Sequence, residues 1–145
     1  MASQSNPLTD KKSIRRIDLI RIAYFISTLS AFFITETGRF IYRPFIYEHN
    51  INDFGLADSI GNLGGIIAQI YLGLTILNPP LKKALRIILL FVTGYIIYEF
   101  AQPYLPKGVF DWKDVYATLI GGAIAVIWLL VIPRIIKPNR TVIEF

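Results

Sequence analysis

Four long apolar runs, separated by short polar segments, constrain this chain more than any other feature. They fall at about residues 17–35, 59–77, 84–100 and 115–136. A helix needs about 20 mostly apolar residues to cross a hydrocarbon core about 30 Å thick. Each run is close to that length and is nearly free of charge, so the expected fold is an all-α integral membrane protein with four transmembrane helices. Composition agrees: 54% of the 145 residues are hydrophobic and only 17% are charged. The breaks carry helix-stopping chemistry. Asn78-Pro79-Pro80 separates the second and third runs, and Pro103 to Gly108 ends the third. The apolar run after the basic N-terminus has no small-residue cleavage signature and exceeds a secretory h-region, so it reads as a retained anchor.

Charge asymmetry sets the expected orientation. Lys11, Lys12, Arg15, Arg16 and Arg21 share one side with Lys82, Lys83, Arg86, Arg134, Lys137 and Arg140, eleven cations against four on the other: Arg39, Arg43, Lys107 and Lys113. Basic flanks stay in the cytoplasm, which puts both termini there: a tail of residues 1–16, a membrane domain of residues 17–136, and a second tail of residues 137–145. The acids behave oppositely. Glu36, Glu48, Asp53, Asp58, Glu99, Asp111 and Asp114 lie at the outer side with many of the aromatic residues. Residues 38–57 alternate aromatics with charges and read as a loop lying along the membrane surface.

A weak internal repeat fits this topology. A shift of 56 residues overlays Ile41-Tyr42 on Ile97-Tyr98, Phe54 on Phe110, Asp58 on Asp114, Leu63 on Leu119 and Gly65 on Gly121. Two hairpins of the same orientation would then form a parallel repeat, related by an axis along the membrane normal.

Polar residues inside the runs are not scattered. Asp58, Asn62, Gly65, Gln69 and Gly73 step by 4, 3, 4 and 4, which is one helix face. Asp114, Thr118, Gly121 and Ala125 repeat the pattern in the fourth run, and Tyr95, Glu99 and Gln102 share a face in the third. The plain reading of the glycines, Gly61 with Gly65 among them, is close helix packing. Glu99 is different. A carboxyl at the hydrocarbon boundary must face the bundle interior or water and find a partner. Arg39 and Arg43 are the expected partners, with Glu36 one turn before Arg39. The same groups read either as a structural ion-pair network or as an outward polar site holding Glu99, Gln102, Asp111, Asp114, Arg39, Arg43, Asp58 and Asn62.

Several function classes lose support. The chain has no cysteine, which removes disulfides, thiolate nucleophiles and zinc–thiolate sites. No Gly-x-Ser-x-Gly, P-loop or His-Glu-x-x-His pattern occurs, and His49 is the single histidine, so no catalytic residue, metal or cofactor is assigned. The net charge of +5 suits anionic headgroups, and no basic stripe with stacking aromatics points to nucleic acid.

The segment YEFAQPYLPKGVFDWKDVYATLIGG resembles the VanZ-like family of bacterial membrane proteins. Glu99, Gln102, Asp111, Asp114 and Gly121 fall on that family's Glu-x-x-Gln, its aspartate pair and its helix glycine, while Arg43-Pro44-Phe45 and Gly61-Asn62 resemble a second, shorter motif. Two positions depart: Gly108 stands where the family has a loop arginine, and Thr118 where it has a helix asparagine. The resemblance implies a bacterial cell-envelope protein of the cytoplasmic membrane with an outward polar site, and it supplies no reaction. A lipid-headgroup, sugar or peptide binder is the first expectation. An accessory subunit of a larger membrane complex, or a homo-oligomer, is the second, and a membrane-embedded hydrolase or transferase is the weakest.

Overall fold

The computed structural model describes residues 7–106 and 108–136. The expected C-terminal tail, the first six residues and Lys107 lie outside that range, and so do the side chains of Lys11, Lys12, Arg15 and Arg16. The described residues are helices joined by short turns. α1 covers Pro7–Thr37, a π-helical segment Gly38–Tyr42, α2 Arg43–Glu48, α3 Leu56–Leu77, α4 Leu81–Ala101 and α5 Trp112–Ile136, with a 3-10 turn at Gln102–Tyr104. Among the described residues, four helical stretches are long and apolar enough to cross a membrane: Leu19–Glu48, Leu56–Leu77, Leu81–Tyr104 and Trp112–Ile136.

Two boundaries differ from the sequence expectation. The first helix starts at Pro7, inside the expected tail, and proline is well suited to a helix's first turn because its missing N–H would be unpaired there anyway. Its other end does not stop near Thr35. The chain stays helical through a π turn to Glu48, so most of the expected surface loop is helix and only residues 49–55 are turn. Gly38 opens the π segment, and a Cβ there would run into the Ile60 side chain of α3. Arg39 and Phe40 favour a helix as well as they favour a loop, and contact with α3 decides between them.

The stop after α3 follows the sequence. Asn78 takes a left-handed conformation (φ 42°), its N–H donates to the Leu74 carbonyl at 2.9 Å, and Pro79-Pro80 cannot continue the helix. At the opposite end of α3, Asp53 organises the turn. Its carboxylate accepts from Ala57 N at 2.6 Å, Gly55 N at 3.0 Å and the Tyr42 hydroxyl at 3.3 Å. Desolvation pulls the Asp53 carboxyl up, but these donors outweigh it and hold it below the usual carboxylate range.

α3 sits centrally, against α1, α4 and α5; α5 also meets α4 and, lightly, α1, while among the described residues α1 and α4 share no contact. The core lies along the α3–α5 seam: Ile66, Ile70, Tyr71, Leu74 and Leu129 are essentially fully buried, with Tyr24 from α1 and Ile88 from α4 packed beside them. Cross-helix hydrogen bonds tie α3 to α5 and to α1. The Tyr71 hydroxyl donates to the Ala125 carbonyl at 2.8 Å, and Arg21 Nε donates to the Thr75 carbonyl at 2.8 Å.

Small residues set the closest approaches, at other positions than Gly61 with Gly65. A Cβ on Gly121 would stand 2.6 Å from the Leu63 carbonyl oxygen and overlap Ile66, and one on Gly64 would overlap the Thr35 hydroxyl. Gly61 has nothing within 4 Å of where a Cβ would be. Helix periodicity groups these glycines on faces, but it does not say which face meets a neighbour.

Candidate functional site

The polar residues collect at the end of the bundle that carries the turn 49–55 and residues 108–111, opposite Asn78-Pro79-Pro80. Arg39 and Arg43 come from the π segment and α2; Asp58, Ile60, Gly61 and Asn62 come from the first turns of α3; Asp114 comes from the first turn of α5. These residues line one cleft of about 320 Å³. The π turn contributes directly. It carries the helix onward from α1, so that Arg39 and Arg43, four positions apart, reach the same cleft.

Behind the cleft lies Glu99, which is 0% exposed. Asn62 Nδ2 donates to one of its oxygens at 3.1 Å and Gln102 Nε2 donates to the other at 2.6 Å. The two amides satisfy a carboxyl that would otherwise be buried without partners. Arg39 and Arg43 are therefore not its partners. Arg39 pairs with Glu36 at 3.1 Å, and Arg43 pairs with Asp58 at 3.5 Å and donates from Nε to the Tyr47 hydroxyl at 3.1 Å. The arginines sit on the extended first helix, while Glu99 finds one amide on neighbouring α3 and the other three residues further along its own chain.

Asp58 is the hub of a second layer. Tyr47 donates a short hydrogen bond to it, Arg43 approaches from one side, and Lys113 Nζ lies 3.8 Å away on the other. The Arg43 guanidinium also stands 5.4 Å from the Tyr47 ring centroid, a cation–π distance. All three charged side chains are substantially exposed, so as ion pairs alone they contribute little, about 0–1 kcal/mol each. Their effect is to place Asp58 as a wall between the first cleft and a wider one over residues 46–55.

Asp111 has a local explanation: its carboxylate accepts from Lys113 N at 2.9 Å at the start of α5, a helix-capping contact. Asp114 differs in making no salt bridge among the described residues, although the Asn62 amide and the Arg43 and Lys113 cations lie near its carboxylate. Among the described residues the salt bridges join Glu36 to Arg39, Asp58 to Arg43 and Asp58 to Lys113. Asp114 is half-buried and its side chain lines the cleft. One turn further along α5, Thr118 is fully buried and its hydroxyl has no hydrogen-bond partner among the described residues.

Thus Arg39, Arg43, Asp58, Asn62 and Asp114 are brought to one cleft, Glu99 and Gln102 stand behind it, and Asp111 caps a helix beside it. Sequence reasoning passed over Tyr47, whose hydroxyl ties Arg43 to Asp58; its place four residues after Arg43 in a charged aromatic segment was the available signal. Phe100, Phe110 and Trp112 form an aromatic cluster at this end, with centroids 5.1–6.0 Å apart. Compared with protein-family models, curated proteins and solved structures, the chain matches none.

Proposed function

We propose that this chain is a VanZ-like membrane protein of the bacterial cell envelope whose mixed-charge cleft faces outward and binds a lipid headgroup. The observation that carries the reading is the cleft itself: two arginines and two aspartates from three chain segments converge on a space of about 320 Å³, the low end of small-ligand sites. A purely structural ion-pair network would close on itself, whereas this one leaves space between the charges. Placement at the end of apolar helices favours a headgroup over a free sugar or peptide, because the acyl chains can remain beside the exposed apolar faces while the polar end enters.

The cation count favours an outward cleft with both termini in the cytoplasm. The parallel repeat gains support from packing. α3 and α5, its equivalent helices, share the central seam, α1 and α4 flank it without contact among the described residues, and the equivalent residues Asp58 and Asp114 both line the cleft.

The accessory-subunit reading has one observation in its favour. Phe54 and Tyr104, at the same end, are 89% and 88% exposed, and aromatic residues are enriched at docking surfaces. Purification at native levels in mild detergent, followed by native mass spectrometry, separates the two. A retained lipid supports the headgroup site; a stoichiometric protein partner with no lipid overturns it.

A further inference from the structure

The charges in the cleft are of both signs, and their existing partners divide them unequally. Asp58 is held between Arg43 and Lys113 and accepts from Tyr47. Asp114 lines the cleft beside the Asn62 amide, and no cation pairs with it among the described salt bridges, although Arg43 and Lys113 stand nearby. Among the described residues Arg39 pairs with Glu36, its neighbour on the same helix, through a single nitrogen. A guanidinium has five donors in a planar fork, so Arg39 and Arg43 retain unused donors suited to phosphate. The cleft therefore offers an anion seat on the α1–α2 side and a cation seat on α5, with Gly61 of α3 leaving open space between them.

We propose that the ligand carries a phosphate and a primary ammonium a few atoms apart, the chemistry of phosphoethanolamine, with the phosphate on Arg39 and Arg43 and the ammonium donating to Asp114. This rests on the headgroup reading above and specifies its chemistry. Both ends are needed. A phosphate alone leaves Asp114 facing an added negative charge, and a quaternary ammonium has no N–H to donate to the Asp114 carboxylate. Gly61 matters because a side chain there would project into the space the ligand spans.

The test uses the full chain in non-ionic detergent, titrated with short-chain phosphatidylethanolamine, phosphatidylcholine and phosphatidylglycerol and with free phosphoethanolamine, bound fractions being read by native mass spectrometry. The expected result is phosphatidylethanolamine tighter than the other two lipids by about tenfold or more, the worth of one charge-assisted hydrogen bond. Asp114→Asn should erase that preference while leaving phosphatidylglycerol binding in place, and Arg39→Gln should weaken all three lipids together. Free phosphoethanolamine binding as tightly as the lipid would support the same chemistry with a soluble source; weaker binding would support the membrane source. Equal binding of the three lipids overturns the ammonium seat and leaves the headgroup site standing. Binding of none overturns both. If Asp114→Asn does not fold, the wild-type ranking of the three lipids decides alone.

Discussion

Asn62 of α3 and Glu99 of α4 meet across a helix interface, the amide donating to the carboxyl at 3.1 Å, and that contact joins the cleft wall to the only fully buried acid among the described residues. Removing the donor leaves one oxygen of Glu99 buried without its partner. Asn62→Ala should destabilise the protein by about 1–3 kcal/mol. Glu99→Gln keeps the volume and removes the acid, so its loss should be smaller. Reversible unfolding in mixed micelles measures both, and an Asn62→Ala variant as stable as the parent would show that the contact is dispensable.

Two glycines on neighbouring helices should respond with opposite signs to the same substitution. Gly61 has open space where a Cβ would be, so Gly61→Ala should stabilise α3 by up to about 1 kcal/mol through helix propensity. Gly121 faces the Leu63 carbonyl and Ile66, so Gly121→Ala forces the seam apart and should cost about 1–3 kcal/mol. Thermal unfolding in detergent reads both. Gly61→Leu then separates folding from binding: it should retain helix content and lose lipid retention.

Thr118 carries a buried hydroxyl with no partner among the described residues. Thr118→Val has nearly the same shape and removes the unsatisfied group, so stability should hold or rise by about 1 kcal/mol. A clear loss of stability would mean that the hydroxyl is hydrogen-bonded in the membrane.

Asp53 predicts an acid limb in local stability. Its carboxyl is held below its ordinary value in the fold, so its contribution is fully present above the unfolded carboxylate value of about 4. It is lost as pH falls through the lower folded value. Exchange protection of the Gly55 and Ala57 amides should therefore decline on acidification, and Asp53→Ala should abolish that pH dependence. Protection unchanged in the variant would assign these amides to another acceptor.

The absence of cysteine makes the orientation directly measurable. Single substitutions Phe54→Cys and Leu81→Cys place thiols at opposite ends of the bundle, both exposed. A membrane-impermeant maleimide should label the first in intact cells and the second only after lysis. The reverse pattern would turn the cleft toward the cytoplasm.

The four helices were legible because hydrocarbon imposes a length and an apolarity that few other contexts require. The polar faces of α3 and α4 were legible too, since a step of 3 or 4 residues maps directly onto a helix surface. Partner choice was not. Glu99 attracts any donor within reach, and only packing shows that the amides of Asn62 and Gln102 arrive before Arg39 and Arg43. The run from Gly38 to Glu48 was misread for a related reason: alternating aromatics and charges describe an interface equally well as loop or as helix, and the fit of Gly38 against Ile60 lies outside the local sequence.

The Gly121 contact also bears on traffic. Where α5 presses its backbone against the Leu63 carbonyl, the bundle is closed, and beyond that point Ile66, Ile70, Tyr71 and Leu74 fill its centre without solvent access. Among the described residues the cleft is thus backed by side chains, so a ligand held there would have its nearest exit through the opening that admitted it.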